Sequence, residues 1–435
     1  MSLLFKAPLN FAPAFGVRGI PPLSNVRRFM VPMHDARIIE TSQERWACRI
    51  RNLLFAASLS TRLSMMRPIA VILMSLFGLI SLAGRCSPAS GSGNLTSNTL
   101  QIVKTRFLGS IWNQPQAKAS IVSQDGGESF AVPGGTIWAF GDTFKGSRSA
   151  DGTPHFAGGA VSCSIALLGQ NEKSYPPALS YLVSSNRIVV SPFKFLPNEP
   201  AERFRIWPLG GITVKSNFYL FYYLIEITGK GQWDFHAVGS GLGRAQMALG
   251  PYERLQPHGD WRFPVAPSQG LESGGWLYLF EIRNVGKRQG AFLGRVRPEQ
   301  IEDPGAYEFY TGVGPKFSSR PEDSSVLLSN VPGQVAVVWN SYLRKYLLAS
   351  SSDFGRPREI RFHVANAPYG PWSPPVARVE APERCQGKRV NFIYCAYFHP
   401  ELFRENGRVV NLTFSPGLED AGFDGNCEMV EIELE

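Results

Sequence analysis

The chain has 435 residues, 44% apolar and 18% charged, with 43 Gly and 33 Pro. Gly and Pro exceed ordinary usage while charge falls below it, which excludes a coiled coil, a helical bundle and a disordered charged tail. The formal charge of +9 sits almost wholly in residues 1–85, with 11 Lys and Arg against 3 acids, and the remainder, with 33 bases against 32 acids, lacks the footprint of a nucleic-acid binder.

Residues 68–84 (PIAVILMSLFGLISLAG) form an uncharged apolar run of 17, preceded by Met65, Met66 and Arg67 and containing Ser81-Leu82-Ala83. A short positive region, an apolar stretch and a small-x-small site describe a secretory signal. The expectation is that translation starts at Met65 or Met66 and that residues 1–64 are a non-native extension. Residues 65–86 are then a cleaved signal or an uncleaved membrane anchor, the only membrane contact expected, and 87–104 a linker. Arg85 stands where a lipoprotein signal needs a small residue before Cys86. The protein is expected to be secreted, periplasmic or on the cell surface, and monomeric. Cys385, Cys395 and Cys427 fall in the last 51 residues without CxxC spacing. That argues against a zinc site and for one or two disulfides near the C-terminus.

Five aromatic and β-branched strand signals follow: residues 136–140 (TIWAF), 218–224 (FYLFYYL), 276–282 (WLYLFEI), 335–339 (VAVVW) with 346–349, and 409–414 (VVNLTF). Each follows a turn-like Gly, Asn or Pro pair, and no long segment shows a period of 3.6. A second signal repeats out of phase. Ala245 leads to Gly250-Pro251-Tyr252, and Ala365 to Gly370-Pro371-Trp372, 120 residues on. Self-similarity at this scale predicts an all-β, five-bladed β-propeller over residues 105–435, with a β-sandwich pair as the competing architecture.

Gln124-Asp125-Gly126-Gly127 precedes the first strong strand, and Trp138-Ala-Phe-Gly-Asp142-Thr ends it. A carboxylate at such a strand end stands where a propeller opens its funnel, or closes an Asx-turn. These motifs resemble the opening of the family catalogued as domain of unknown function 4185. Leu293-Gly-Arg-Val-Arg-Pro-Glu-Gln-Ile-Glu-Asp-Pro-Gly-Ala-Tyr-Glu-Phe-Tyr310 resembles its middle signature. So do Trp339-Asn340 with Tyr346-Leu-Leu, and Ile360-Arg361, Ala365 and Tyr369-Gly-Pro-Trp372-Ser.

The resemblance implies a five-bladed propeller similar to arabinanase-like glycoside hydrolases, some relatives being endo-acting D-arabinanases. It further implies two acidic residues around a scissile glycosidic bond, with Asp125 and Asp142 as the candidates of the first blade. Glu272 and Glu322, near the expected starts of the third and fourth sheets, are considered for the proton donor, with Glu281, late in its strand, a weaker choice. Each could equally be a surface or structural carboxylate. The second blade opens with Phe204-Arg205-Ile206-Trp207-Pro208 and no acid after Glu202. There Arg205 and Trp207 could clamp a sugar, or Trp207 could be blade packing. His399 could bind an axial ion such as calcium or a substrate hydroxyl, or be a satisfied interior side chain. The expected function is an exported glycoside hydrolase acting on a polysaccharide or oligosaccharide, with arabinan as the candidate glycan. The alternative is a non-catalytic carbohydrate-binding propeller.

Overall fold

The computed structural model describes residues 100–229, 234–255, 264–286, 288–331, 333–352, 357–419 and 425–435. The expected extension, the signal segment and residues 87–99 of the expected linker lie outside the described residues.

Those residues build five antiparallel sheets. The first strand, β1 (Ile102–Ser110), and a one-turn helix, α1 (Gln114–Lys118), precede the first blade. That blade comprises β2 (Ile121–Val132), β3 (Gly135–Arg148), β4 (Pro154–Val161), β5 (Ser164–Gly169) and β6 (Ser180–Tyr181). The second holds β7 (Phe204–Val214), β8 (Asn217–Ile227), β9 (Phe235–Ala245) and β10 (Glu253–Leu255). The third holds β11 (Gln269–Ser273), β12 (Trp276–Val285), β13 (Arg288–Val296), β14 (Glu308–Tyr310), β15 (Phe317–Ser318) and β16 (Leu328–Ser329). The fourth is β17 (Val335–Asn340), β18 (Lys345–Ser351), β19 (Glu359–Ala365) and β20 (Ala377–Glu380). The fifth is β21 (Arg384–Cys385), β22 (Lys388–Phe398), β23 (Val409–Leu418) and β24 (Glu428–Leu434), completed by β1 pairing antiparallel to β24.

The ring follows from side chains alternating across each strand. On β8, Tyr219 and Phe221 enter the core shared with the third blade, while Phe218, Leu220 and Tyr222 enter the core shared with the first. On β12, Leu277 and Leu279 face the second blade, and Tyr278, Phe280 and Ile282 the fourth. On β3, Ile137 and Ala139 face the second blade, while Trp138 and Phe140 pack toward Cys427 and Met429 of the fifth. The fourth and fifth blades share the remaining core, around Leu347, Phe362, Leu412 and Phe414. Five cores, one between each neighbouring pair, make a closed propeller. A sandwich has one interface between two sheets, so that alternative is excluded.

The recurring Gly-Pro-aromatic motif marks equivalent corners, following β9 in the second blade and β19 in the fourth. The cysteine expectation is corrected. Cys163, Cys385, Cys395 and Cys427 are separate, buried thiols, with Cys395 Sγ against Gln334 Oε1 at 3.3 Å and Cys427 Sγ against the Gly126 carbonyl at 3.4 Å.

Candidate active site

The innermost strands β2, β7, β11, β17 and β22 run in one direction around the ring, so their early ends gather at one mouth. An open pocket lies there. The first blade contributes Asp125, Gly126, Glu128 and Gly141, and the second Trp207, Leu209 and Tyr223. Gln289, Gln334, Cys395 and Tyr397 complete it from the other three blades.

Asp125 reaches the pocket because β2 is irregular beneath it. Its pairing with β3 shifts register between Gln124 and Gly126 and again between Gly126 and Glu128. Gly126 and Gly127 have φ of +83° and +90°, a region that L side chains rarely adopt. The resulting bulge redirects the strand. The carboxyl of Asp125 then lies against β3, and a Cβ on Gly141 would stand 2.4 Å from Asp125 Oδ1. Only glycine at 141 allows this approach.

That approach brings the two sequence-predicted aspartates together. The backbone N–H of Asp142 donates to the Asp125 carboxylate, and the Tyr394 hydroxyl donates to Asp125 Oδ2 at 3.0 Å. Burial, then the neighbouring Asp142 charge, push Asp125 up to about 7, against the lowering pull of those two donors. Asp142 accepts a hydrogen bond from Trp207 Nε1–H at 3.1 Å. Burial raises Asp142 to about 6, while the Trp207 donor and the Arg205 charge hold it down. Arg205 itself donates to the Phe204 carbonyl at 2.8 Å. Trp207 packs edge-to-face on Phe235, with ring centroids 5.0 Å apart. Asp125, Asp142, Arg205 and Trp207 therefore form one cluster.

The other expected residues do not join it. Glu272 is exposed and pairs with Leu277 beside the β11–β12 turn, so it points to the far end of the ring. Glu322 is not at the start of the fourth sheet. It lies in a short turn (Pro321–Asp323) between β15 and β16 of the third blade, exposed and 3.8 Å from Arg320. Glu281 is closer to the mouth, because β12 runs opposite to β11 and its late end rises beside the pocket. Its carboxylate accepts from Arg283 at 2.8 Å and its charge reaches Tyr223.

His399 is an interior side chain. It is fully buried and stacks on Trp138 with centroids 3.8 Å apart. Its Nδ1 is 3.0 Å from Ser129 Oγ and its Nε2 2.8 Å from Thr413 Oγ1, so it ties the first blade to the fifth. Neither the axial-ion nor the substrate role fits a ring enclosed in this way. Among the described residues, no three His, Cys, Asp or Glu side chains group as metal ligands.

Glu128 was not anticipated. It is 3% exposed and lines the pocket, one oxygen 3.4 Å from the Gly211 N–H and Oε2 without a hydrogen-bond partner. Burial raises its pKa well above the usual carboxylate value.

The architecture is similar to that of solved structures. A Bacteroides ovatus protein carrying a provisional hydrolase designation aligns with a TM-score of 0.53 at 14% identity, covering 73% of this chain and 88% of that one. A family 117 glycoside hydrolase from Zobellia galactanivorans aligns at 0.42 and 11% identity over 77% and 90% of the two chains. An α-L-arabinofuranosidase from Podospora anserina, solved with cellotriose, aligns at 0.42 and 11% identity over 75% and 95%. No curated protein matches the chain. The first of these alignments agrees with the ring derived above, and a family profile matches residues 112–416, from just before the first blade into the fifth. The chain belongs to that family, described as domain of unknown function DUF4185.

Proposed function

We propose that this protein is an exported glycoside hydrolase, with Asp125 and Asp142 as its working carboxyls. One observation carries the reading: two aspartates from adjacent strands of one blade are held together in unlike surroundings, with Asp125 in the pocket lining and Asp142 bonded to the pocket-lining Trp207. Pairs of carboxyls whose environments push their pKa values apart divide acid and base roles between them. Asp125, raised further and facing a neighbouring negative charge, is the more readily protonated of the two and donates its proton to the departing glycosidic oxygen. Asp142, with an indole N–H and a guanidinium charge beside it, is the ionised partner that activates water or attacks the anomeric carbon. Tyr223, Phe235 and Trp207 supply flat apolar surface for the C–H face of a sugar. The family resemblance makes arabinan the first glycan to assay.

Asp125→Asn and Asp142→Asn are each expected to lower kcat by about 10²–10⁴-fold, the usual worth of a positioned acid or base, while thermal unfolding stays cooperative. Product analysis over a panel of arabinans and other cell-wall glycans reads this out. Wild-type turnover in both variants overturns the assignment. For the wild type, kcat/KM should be bell-shaped with its maximum between about pH 6 and 7, the limbs belonging to the pair as a unit.

A second reading is favoured by a separate observation. Neither Glu272 nor Glu322 lines the pocket, and its wall is largely apolar. A non-catalytic carbohydrate-binding propeller would bind the same oligosaccharides without cleaving them, and Asp125→Asn would leave that affinity intact.

A further inference from the structure

We propose that Trp207 is a positioning residue for Asp142: its indole N–H holds that carboxylate ionised, so that the proton shared by the two aspartates stays on Asp125. The inference rests on the acid and base roles given above.

Three observations place Trp207 in this position. Its Nε1–H is 3.1 Å from Asp142 Oδ1, across the boundary between the first and second blades. The indole is steadied edge-to-face by Phe235. Its ring also lines the pocket, on the same wall as Asp125 and Gly141. An indole N–H can donate and cannot accept, so its bond is stronger to the ionised carboxylate than to the carbonyl oxygen of the protonated acid. β7 carries no acid of its own, and a neutral donor here tunes the aspartate pair without adding a third negative charge.

The surroundings of the pair are asymmetric in a way that supports this division. Asp142 faces Asp125 from β2 and Arg205 and Trp207 from β7. Asp125 faces Tyr394 from β22, with the Cys395 and Cys427 thiols within its electrostatic reach. Tyr394 can donate to an ionised Asp125 or accept from a protonated one, so it tolerates either state. Trp207 can only donate, and so favours the ionised state.

Trp207→Phe removes the N–H and keeps a ring against Phe235. The test follows the aspartate carboxyl carbons by NMR titration of the labelled protein without substrate, so it is independent of which glycan is cleaved or whether any is. The Asp142 midpoint should rise by about one pH unit, the scale of one charge-assisted hydrogen bond. In an active preparation the acidic limb of kcat/KM should move up with it. Tyr394→Phe should leave the Asp142 midpoint in place. An unmoved Asp142 midpoint in Trp207→Phe overturns the proposal. So does a rise in KM with unmoved limbs, which would mark Trp207 as a sugar platform alone. Should that variant not fold, the wild-type protein still decides. The Trp207 indole N–H resonance should titrate with Asp142 and lose that step in Asp142→Asn; a pH-independent resonance overturns the proposal.

Discussion

Asp125, Glu128 and Asp142 stand on two strands of one blade, and burial pushes each toward its neutral form. Their folded pKa values lie above the ordinary carboxylate range, so the folded chain holds protons that the unfolded chain releases. Each group therefore lowers stability as pH rises from about 4 through its folded value, and costs nothing further above it. Glu128 isolates this effect, being almost fully enclosed with one oxygen unpaired. Glu128→Gln is expected to raise the thermal midpoint at pH 8 and leave it nearly unchanged at pH 4, and unfolding curves at the two values check it. An equal shift at both would mean that packing rather than ionisation dominates. This residue was hidden in the sequence by the bulge itself. Strict alternation puts residues 125, 127 and 129 on one face, and the glycine pair at 126–127 shifts the phase so that 125 and 128 share the pocket.

At the level of strands, the β2–β3 pair is the unit that makes the site, and Gly141 is its tightest point. Gly141→Ala places a methyl group 2.4 Å from Asp125 Oδ1 and must turn that carboxyl away. The expected cost is about 1–3 kcal/mol of stability, with activity lost as fully as in Asp125→Asn. Denaturant unfolding and turnover of the same variant separate the two effects. Direction along a strand explains what the sequence concealed elsewhere. Glu272 stands near the end of an innermost strand and so lies far from the mouth, while Glu281, late in the next strand, lies near it. In an antiparallel blade, early on one strand is level with late on its neighbour. The aromatic strands and the Gly-Asp-Thr end were legible because burial on both faces leaves a continuous apolar run, which a change of chain direction does not disguise.

Across the whole ring, the number of blades was legible and its closure was not. β1 is an outer strand with most of its side chains exposed, so it carries little apolar pattern to betray its partner. Yet β1 pairs with β24 from Ile102↔Leu434 to Ser110↔Glu428, and Gln101 and Glu435 exchange two backbone hydrogen bonds at 3.1 and 2.9 Å. Removing residues through Ser110 should lower the thermal midpoint by about 10 °C or more, because it strips the fifth blade to an open edge. A truncated chain that melts with the full-length protein would show the clasp to be dispensable. The clasp also sets an order of events. A nascent chain leaving the ribosome has β1 ready hundreds of residues before its partner exists, so the circle cannot be sealed until β24 has been made. A chain stopped one strand short therefore leaves β1 as an unclaimed ribbon edge.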